Sequence, residues 1–439
     1  MIDRTTLPWY REPTKGQWMT FVAAWLGWIL DAFDFTIFLL VMPEIAKEMG
    51  VSYTATAGAI TLTLLMRLLG GLGAGALADR FGRKLPLMIS MVWFAVCDGA
   101  IAFAPSFFWV LFFRTLFGFG MGAEWTAGTT LAMENWPKRS RGIASGVLQG
   151  SWAIGYLLAA VVAGYVVPIW GWRALFIIAA VPALLVLPIR IWVPESEEWL
   201  HEQATKAARF EVKTKKASAF TPELVKILIW ASFLMGAGLA AYYGITGMYP
   251  TMLKTELAFD SMGVARVVAL FNIGMMVGAV VCGTLAARRS ITLAVALFAL
   301  LCVPALPLYV GHVEGAIALG AFLVGFTGGG YSGVTPMLLT GLFPAEVRAR
   351  AVGIVYHVGA FGAAFVPMTI AAISAETGWG LSTTIMIAVA IFQCMLVGLL
   401  LAQPKAVAAV LGGVRSLRFS APRTPSPPNV RDPAQRAAS

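Results

Sequence analysis

Twelve long apolar stretches constrain this chain more than any other feature of it. Each is close to the roughly 20 apolar residues that an α-helix needs to cross a bilayer. They cover residues 18–42, 55–78, 85–104, 107–133, 142–168, 172–193, 225–249, 263–287, 291–310, 314–341, 347–373 and 378–402. Only 12% of the residues are charged, whereas about 25% are charged in a soluble domain. The chain is therefore predicted to be an all-α membrane protein with twelve transmembrane helices.

The basic residues predict the orientation of these helices. With the N-terminus in the cytoplasm, 25 of the 32 lysines and arginines fall on cytoplasmic segments and four fall on external ones. Basic residues are enriched in cytoplasmic loops, so both termini are predicted to be cytoplasmic. The same distribution accounts for the net charge of +10 without a nucleic-acid partner, which would require a basic patch on a soluble face.

The longest internal polar stretch divides the chain into two halves. We predict a cytoplasmic N-terminus at residues 1–17, a six-helix bundle at 18–193, a cytoplasmic central loop at 194–224 and a second six-helix bundle at 225–402. A cytoplasmic tail follows at 403–439. Its richness in proline and serine predicts disorder.

The two halves repeat each other in sequence. GALADR at Gly75–Arg80 recurs as GTLAAR at Gly283–Arg288, and PKRSRGIASG at Pro137–Gly146 aligns with PAEVRARAVG at Pro344–Gly353. Six helices separate the matching positions, and this even number gives both halves the same topology. The repeat predicts two halves related by a parallel pseudo-two-fold axis along the membrane normal, an architecture typical of transporters.

The intramembrane charges do not follow this repeat. A scaffold role would tend to be shared by both halves, so charges found in one half alone indicate function. The first-half charges and their second-half equivalents are Asp31 and Leu239, Asp34 and Tyr242, Arg67 and Met275, Asp79 and Ala287, Arg114 and Phe322, and Glu124 and Ser332.

Several motifs resemble a known family. GALADRFGRK at Gly75–Lys84, RTLFGFGMG at Arg114–Gly122 and PESEEWL at Pro194–Leu200 resemble signatures of the major facilitator superfamily. PWYR at Pro8–Arg11 and AAWLGWILDAFDF at Ala23–Phe35 resemble the sialate:proton symporter group within it. The resemblance implies a carrier of sialic acid or a monocarboxylate, coupled to protons, in a bacterial cytoplasmic (inner) membrane.

The residues of proton coupling are expected in the first and fourth spans. Asp31 and Asp34 share one helix face, and two close carboxylates in a low dielectric repel, which favours a proton on one of them. The resemblance implies that Asp34 is the protonation site and pairs with Arg114, and that Asp31 is its neighbour or a substrate contact. Glu124 follows the glycines of the fourth span, nearer the cytoplasm, and is expected to relay the proton or hold a gate. The alternatives are carboxyls that fix helix packing and a permanent Asp34–Arg114 ion pair.

Arg67 is the leading candidate for binding an anion. It lies halfway along the second span without an acidic neighbour in sequence, and a guanidinium group matches a carboxylate in planar, bidentate geometry. The alternative is an ion pair with Asp98 or Asp31. Other candidate substrate contacts are polar or amphipathic side chains on the helices expected to face the centre: Gln149, Tyr242, Tyr243, Asn272, Tyr331 and His357.

A second charged group lies at the predicted cytoplasmic end of the second span. We predict that Asp79, Arg80, Arg83 and Lys84 form an ion-pair latch with the other half and stabilise the outward-facing state. We expect no metal site, because the three histidines are far apart in sequence. No cofactor other than the coupling proton is expected.

These features predict a secondary active transporter, acting as a monomer, that imports a small organic anion with protons by alternating access. The nearest alternative is a carrier of a neutral sugar or an aromatic acid on the same fold. A non-transporting sensor and a membrane enzyme are further alternatives, although the sequence shows neither an added soluble domain nor a nucleophile–base pair.

Overall fold

The computed structural model describes residues 8–51, 53–209, 221–313 and 315–411, and these residues form helices joined by short turns. The first half contains α1 (Lys15–Met49), α2 (Tyr53–Phe81), α3 (Lys84–Ala102), α4 (Phe107–Asn135) and α5 (Arg141–Trp192). After α6 (Glu197–Arg209), the second half contains α7 (Pro222–Thr246), α8 (Tyr249–Thr255), α9 (Ser261–Arg288), α10 (Ile291–Tyr309), α11 (Ile317–Val324), α12 (Thr335–Leu342), α13 (Arg348–Ala363), α14 (Val366–Thr377) and α15 (Leu381–Leu401), and α16 (Lys405–Leu411) follows. The predicted all-α fold class is confirmed.

The predicted count of twelve spans is not reproduced one for one. Among the described residues, ten helical stretches are long and apolar enough to cross a membrane. One of them, Lys138–Val181, covers predicted span 5 and part of span 6, because α5 runs through both with a break at Gly171. Gly171 has a φ of 75°, a conformation that glycine adopts without steric cost. The fourth predicted span corresponds to α4, which carries buried charges and is not one of the ten.

Polar side chains mark where several of these helices begin. The Thr14 hydroxyl accepts a hydrogen bond from the main-chain N–H of Gln17 and the Gln17 side chain accepts one from Thr14 N–H, which together form a capping box at the start of α1. Thr221 and Ser290 cap α7 and α10 through their hydroxyl groups. These caps satisfy N–H groups that a helix cannot pair internally, so the polar ends of the apolar stretches fix the helix boundaries.

The two halves meet along two seams. α2 packs on α13, and α5 packs on α9. Glycine permits the close approach at both: a Cβ on Gly142 would overlap the carbonyl oxygen of Gly283, and a Cβ on Gly71 would overlap the ring of His357. The seams hold the halves together at the end of the bundle where α1 begins and α15 finishes, which we call the terminal end.

The segments outside the bundles are described in part. The region predicted as the central loop contains α6, and its residues 210–220 lie outside the described residues. In the predicted tail, α16 follows α15, and residues 412–439 lie outside the described part of the chain, as do residues 1–7. The prediction of disorder for residues 412–439 therefore stays a prediction.

Candidate functional site

A cavity of about 1520 Å³ lies between the two halves. α1, α2 and α5 line it from the first half, and α7, α9 and α13 line it from the second. It extends to Leu40 in the second half of α1, to Tyr165 just before the break in α5 at Gly171, and to the exposed side chains of Lys254 and Arg266, all remote from the terminal end. Most of its wall is apolar or aromatic, so the few polar groups on it are the candidates for orienting a ligand.

Arg67 lies on the wall of this cavity and is only 4% exposed. Its guanidinium carbon is 5.7 Å from the centroid of the Trp28 ring and 5.3 Å from that of the Tyr356 ring. These aromatic faces attract the cation and reduce the free-energy cost of burying it. The Nε and Nη2 atoms have no hydrogen-bond partner among the described residues. Two N–H groups of this buried cation are therefore not used by the described part of the protein, and a planar guanidinium with free donors matches a carboxylate.

Five of the other predicted binding residues also line the cavity. Asn272 donates a hydrogen bond from Nδ2 to the Val268 carbonyl at 2.9 Å, and the Tyr331 hydroxyl donates to the Gly238 carbonyl at 2.5 Å. The Gln149 Oε1 atom has no partner among the described residues. The five are Gln149, Tyr242, Tyr243, Asn272 and Tyr331.

Two predicted substrate contacts do not lie on the described cavity wall. Asp31 is fully buried behind it. His357 is buried in the seam between the halves, where its Nε2 atom lies 3.3 Å from the Thr126 hydroxyl and 3.3 Å from the Gly122 carbonyl. Direct contact of either residue with a ligand in the cavity is not supported by this structure, because helix packing turns both side chains away from it.

Three buried carboxyl groups form what we call the acidic cluster: Asp31, Asp34 and Asp98. No N–H or hydroxyl donor among the described residues reaches any of their oxygen atoms. The carboxyls of Asp34 and Asp98 lie within hydrogen-bonding reach of each other. Such a contact between two carboxyl groups requires a proton on one of them, since ionised carboxylates only accept.

Arg114 contacts Asp34 differently from the prediction. A direct side-chain ion pair between them is not formed; instead, the Nη1 and Nη2 atoms donate to the main-chain carbonyls of Asp34 and Phe35 at 3.3 and 3.4 Å. The guanidinium carbon also lies 4.6 Å from the Phe38 ring centroid and 4.3 Å from that of Phe117. The expected pair is therefore replaced by a main-chain anchor beside the acidic cluster.

Glu124 belongs to a separate contact between α3 and α4. Its Oε2 atom accepts a hydrogen bond from the Ser90 hydroxyl at 2.9 Å, and the side chain is 2% exposed. This placement fits a packing role as well as a relay or a gate, so a coupling role for Glu124 stays a prediction.

A network of charged side chains closes the terminal end, and we call it the latch. Arg83 of the first half contacts Asp79 at 2.9 Å (Nη1–Oδ1) and Glu134 at 3.2 Å (Nη2–Oε1). Arg348 of the second half reaches the same Glu134 carboxylate at 2.7 Å (Nη1–Oε1). The first main-chain N–H groups of α13 donate to Asp79 at 3.2 and 3.1 Å. The latch thus joins the two halves through buried charges, which persist only when they are paired.

The segment after α5 completes the latch. Glu198 contacts Arg348 at 2.5 Å and Arg141 at 3.1 Å, and these two arginines are equivalent positions of the internal repeat. Burial favours the neutral form of Glu198, but attraction to Arg348 and Arg141 outweighs it and lowers the pKa of this carboxyl below its ordinary value. Glu198, on α6, therefore bridges matching points of both halves.

The predicted latch residues contribute unequally. Asp79 and Arg83 are part of the network, whereas Lys84 joins through its main-chain N–H, which donates to Glu195 at 3.1 Å. Arg80 is exposed and lies over the Phe81 ring at 5.1 Å, outside the ion pairs of the latch. Arg80 does not join the latch in this structure, so a gating role for it stays a prediction.

Sequence reasoning missed several partners in these sites. Glu134 and Glu198 are acidic residues whose partners lie on other helices, and no spacing along the chain signals such pairs. The repeat did mark Arg141 and Arg348, and two equivalent arginines with few nearby acidic residues could have prompted a search for one shared carboxylate. Among the described residues, no group of three or more histidine, cysteine, aspartate or glutamate side chains could hold a metal ion.

The chain is similar to a large family and to several known transporters. The sequence profile described as the Major Facilitator Superfamily matches residues 24–311 and 241–433. The sialic acid transporter NanX of Escherichia coli is 27% identical over 398 residues, which cover 89% of this chain and 96% of NanX. A probable 4-methylmuconolactone transporter of Cupriavidus pinatubonensis is 32% identical over 360 residues, covering 80% of this chain and 82% of that protein.

A solved structure shares the fold. The proton:xylose symporter XylE, solved with 6-bromo-6-deoxy-D-glucose bound, matches with a TM-score of 0.71 at 19% identity. The match covers 88% of this chain and 94% of XylE. At 19% identity, the likeness shows a shared arrangement of helices and nothing further.

Proposed function

Because the chain belongs to the major facilitator superfamily and is a secondary transporter rather than an enzyme, we propose that it imports a small organic anion together with protons. The anion occupies the cavity between the halves, with its carboxylate on Arg67. The observation that carries this proposal is the buried guanidinium of Arg67, whose Nε and Nη2 atoms lack partners among the described residues and which lies on the cavity wall.

Names of the relatives support an organic acid as the cargo. NanX is a sialic acid transporter, and the second relative is named for 4-methylmuconolactone. The repeat gives independent support: Met275, the second-half equivalent of Arg67, lines the same cavity. One side of the cavity thus carries a buried cation and the matching position carries an apolar side chain. This asymmetry suits a cargo with one charged end.

The wall of the cavity favours an aromatic or unsaturated acid over a sialic acid. Trp28, Trp152, Tyr156, Tyr242 and Tyr243 line it. Amide side chains on the described wall come from Gln149 and Asn272. A polyhydroxylated cargo would have to find its hydrogen bonds among these two amides and the scattered hydroxyl groups of the wall, and each buried polar group left unpaired would cost about 1–3 kcal/mol. A flat apolar body with a carboxylate avoids that cost.

We place the coupling proton on the Asp34–Asp98 pair. The two carboxyls are buried and within hydrogen-bonding reach, and the nearby Arg114 is held on main-chain carbonyls rather than on Asp34. Loss of the shared proton would leave two adjacent carboxylates in a low dielectric, which repel each other strongly. Binding of a proton from the open side would then favour one conformation, and its release to the other side would favour the return to the first.

The latch and the cavity together support an outward-facing state. The latch closes the terminal end, and the cavity extends to helix ends on the other side. The distribution of basic residues favours a cytoplasmic terminal end, and the cavity would then open to the outside. In that state the protein would load anion and proton, and it would release both after the latch separates.

A ligand screen tests the proposal. Purified protein is heated with benzoate, benzamide, N-acetylneuraminate, lactate and glucose, since a ligand that binds the folded state raises its melting temperature. The proposal predicts a shift with an acid and none with its neutral amide, and loss of the shift in Arg67→Gln. Lys254→Gln is the matched control, because Lys254 also lines the cavity but is exposed. Equal shifts by benzoate and benzamide would contradict an anion site.

A further inference from the structure

Every charged side chain on the described wall of the cavity is basic: Arg67, Lys254 and Arg266. Arg67 is buried, whereas Lys254 on α8 and Arg266 on α9 are exposed at the end of the cavity remote from the latch, which we call the mouth. Neither of these two makes an ion pair with a described residue. A cleft lined by charges of one sign focuses its electric field and concentrates ions of the opposite sign. The mouth is therefore expected to attract anions.

The acidic residues of the same segment have other partners. Residues 254–266 contain two basic and two acidic side chains. The Glu256 carboxylate accepts hydrogen bonds from the first main-chain N–H groups of α15, with that of Ser382 at 3.0 Å. Asp260 accepts one from the main-chain N–H of Gly263, at the start of α9, at 2.8 Å. Because the positive ends of these helix dipoles offset the two carboxylate charges, the acids of this segment do not neutralise the mouth.

The first half adds no charged side chain to the described mouth. Its Arg173 forms an ion pair with Glu48 near the same end of the bundle. Lys47 is exposed there but does not lie on the described cavity wall. The positive charge of the mouth thus comes from the second half, through Lys254 and Arg266.

The mouth and Arg67 are too far apart to hold one small carboxylate together. Arg266 precedes Met275 on α9 by nine residues, which is about 13 Å along a helix. Met275 is the repeat equivalent of Arg67 and lines the same cavity, so it marks the depth of Arg67 on the opposite side. This separation exceeds the Debye length of about 8 Å at physiological ionic strength. The mouth therefore acts on an anion before that anion reaches Arg67.

We propose that Lys254 and Arg266 make the mouth charge-selective: they concentrate small anions, carboxylates and sulfonates alike, at the entrance and repel cations. Their role in loading the cargo rests on the proposed function, whereas the charge selectivity does not. The attraction acts on the approaching anion and not on the one bound at Arg67. Neutralising the mouth should therefore raise the KM for an anionic cargo at low salt, and it should leave kcat and the melting-temperature shift at saturating acid unchanged.

Labelling of a cysteine inside the cavity tests the charge selectivity without a cargo. Ser332 lines the cavity, and Gly329, three residues earlier, packs on Met275, so Ser332→Cys places a thiol beyond the mouth. Cys394 is exposed and is replaced by serine, and the other three cysteines are buried. The full-length protein is treated with a negative methanethiosulfonate (ethylsulfonate) or a positive one (ethyltrimethylammonium). Both reagents attack the same thiol, so the ratio of their rates reports the electric potential along the path and not the reactivity of the thiol.

The decisive variant combines Lys254→Gln with Arg266→Gln. It should lower the ratio of negative to positive labelling by about tenfold at low ionic strength, the lower end of what such focusing supports. At about 1 M salt the Debye length falls to about 3 Å, and the variant and the wild type should then give the same ratio.

The matched control combines Lys47→Gln with Lys226→Gln. It removes the same net charge from exposed positions outside the described cavity wall, and it should leave the ratio unchanged. An unchanged ratio in the mouth variant, or an equal fall in the control, would overturn the proposal.

Two further results keep the test decisive. If Ser332→Cys fails to fold, Thr246→Cys, at the end of α7 and on the same wall, should report the same fall, and a constant ratio there would equally overturn the proposal. Failure of every acid to bind wild-type protein would overturn the proposed function but would leave the labelling result intact. A constant ratio alongside normal acid binding would remove the mouth and leave the site at Arg67.

Discussion

Arg348 of the second half and Glu134 of the first half are joined by an ion pair of 2.7 Å, and the side chain of Glu134 is only 1% exposed. The same carboxylate also contacts Arg83, and the Ser196 hydroxyl donates to it. The Glu134 carboxylate thus contacts side chains from both halves and from the segment before α6. The state with a closed terminal end depends on this convergence of charges.

Loss of Arg348 should open the terminal end. Arg348→Ala leaves Glu134 and Glu198 without their second-half partner, and removing one member of a buried pair costs on the order of 3 kcal/mol. Spin labels on exposed Leu85 and Glu346, with Cys394 replaced by serine, report the separation of the halves. The distance distribution should shift to longer values.

Arg80→Ala is the matched control, because Arg80 is exposed and lies outside the ion pairs of the latch. It should leave the distances unchanged. A similar shift in both variants would mean that charge on α2, rather than the latch, controls the closed state.

A bulkier residue at Gly142 should also open the terminal end, because it would prevent close packing of α5 on α9. A Cβ there would overlap the Gly283 carbonyl oxygen, and α5 and α9 could not approach as closely. Overpacking of this kind costs about 1–3 kcal/mol. Gly142→Val should therefore lengthen the label distances, whereas Gly164→Val, on the same helix with nothing within 4 Å of its Cβ, should not. An unchanged distance in Gly142→Val would show that this seam does not limit closure.

Glu48 lies at the end of the bundle opposite the terminal end, and it should make the stability of the protein depend on pH. The Arg173 hydrogen bond and that of Trp172 lower the pKa of Glu48 below its usual value of 4.5. A carboxyl with a lowered pKa in the folded state adds stability above its unfolded pKa, and this stability is lost as the pH falls through the folded value. Glu48→Gln should therefore lower the melting temperature at pH 7, and the difference should shrink as the pH falls below 4.5 and through the folded-state pKa. A difference that stays constant with pH would rule out the ion pair as its source.

The sequence predicted the fold and the placement of charge better than the pairing of charges. Hydropathy and the repeat placed Arg67 and Asp34 inside the first bundle, because burial of a charge in an apolar helix follows from local composition. The contacts of Asp98 with Asp34 and of Tyr356 with Arg67 join helices far apart in the chain, and their geometry depends on how each helix is rotated. Single-sequence patterns do not determine that rotation.

The division of span 5 and span 6 illustrates a related limit. The sequence shows one polar break near Gly171, and the positive φ of this glycine allows the chain to turn there while helical hydrogen bonding continues on both sides. Apolar composition cannot show where such a turn lies to within a residue. Arg80 and Arg83 also differ because of a turn: Arg80 is exposed in the last turn of α2, whereas Arg83 follows Gly82, whose positive φ of 99° redirects the chain between α2 and α3.

Transport by Asp34→Asn most directly tests the central claim, which is that the buried charges of the first half couple an anion to a proton. The protein is reconstituted in liposomes, and cargo uptake driven by an imposed proton gradient is compared with exchange of labelled for unlabelled cargo at equal concentrations. The account predicts that Asp34→Asn abolishes gradient-driven accumulation while exchange persists. Accumulation that survives at the wild-type level would contradict it.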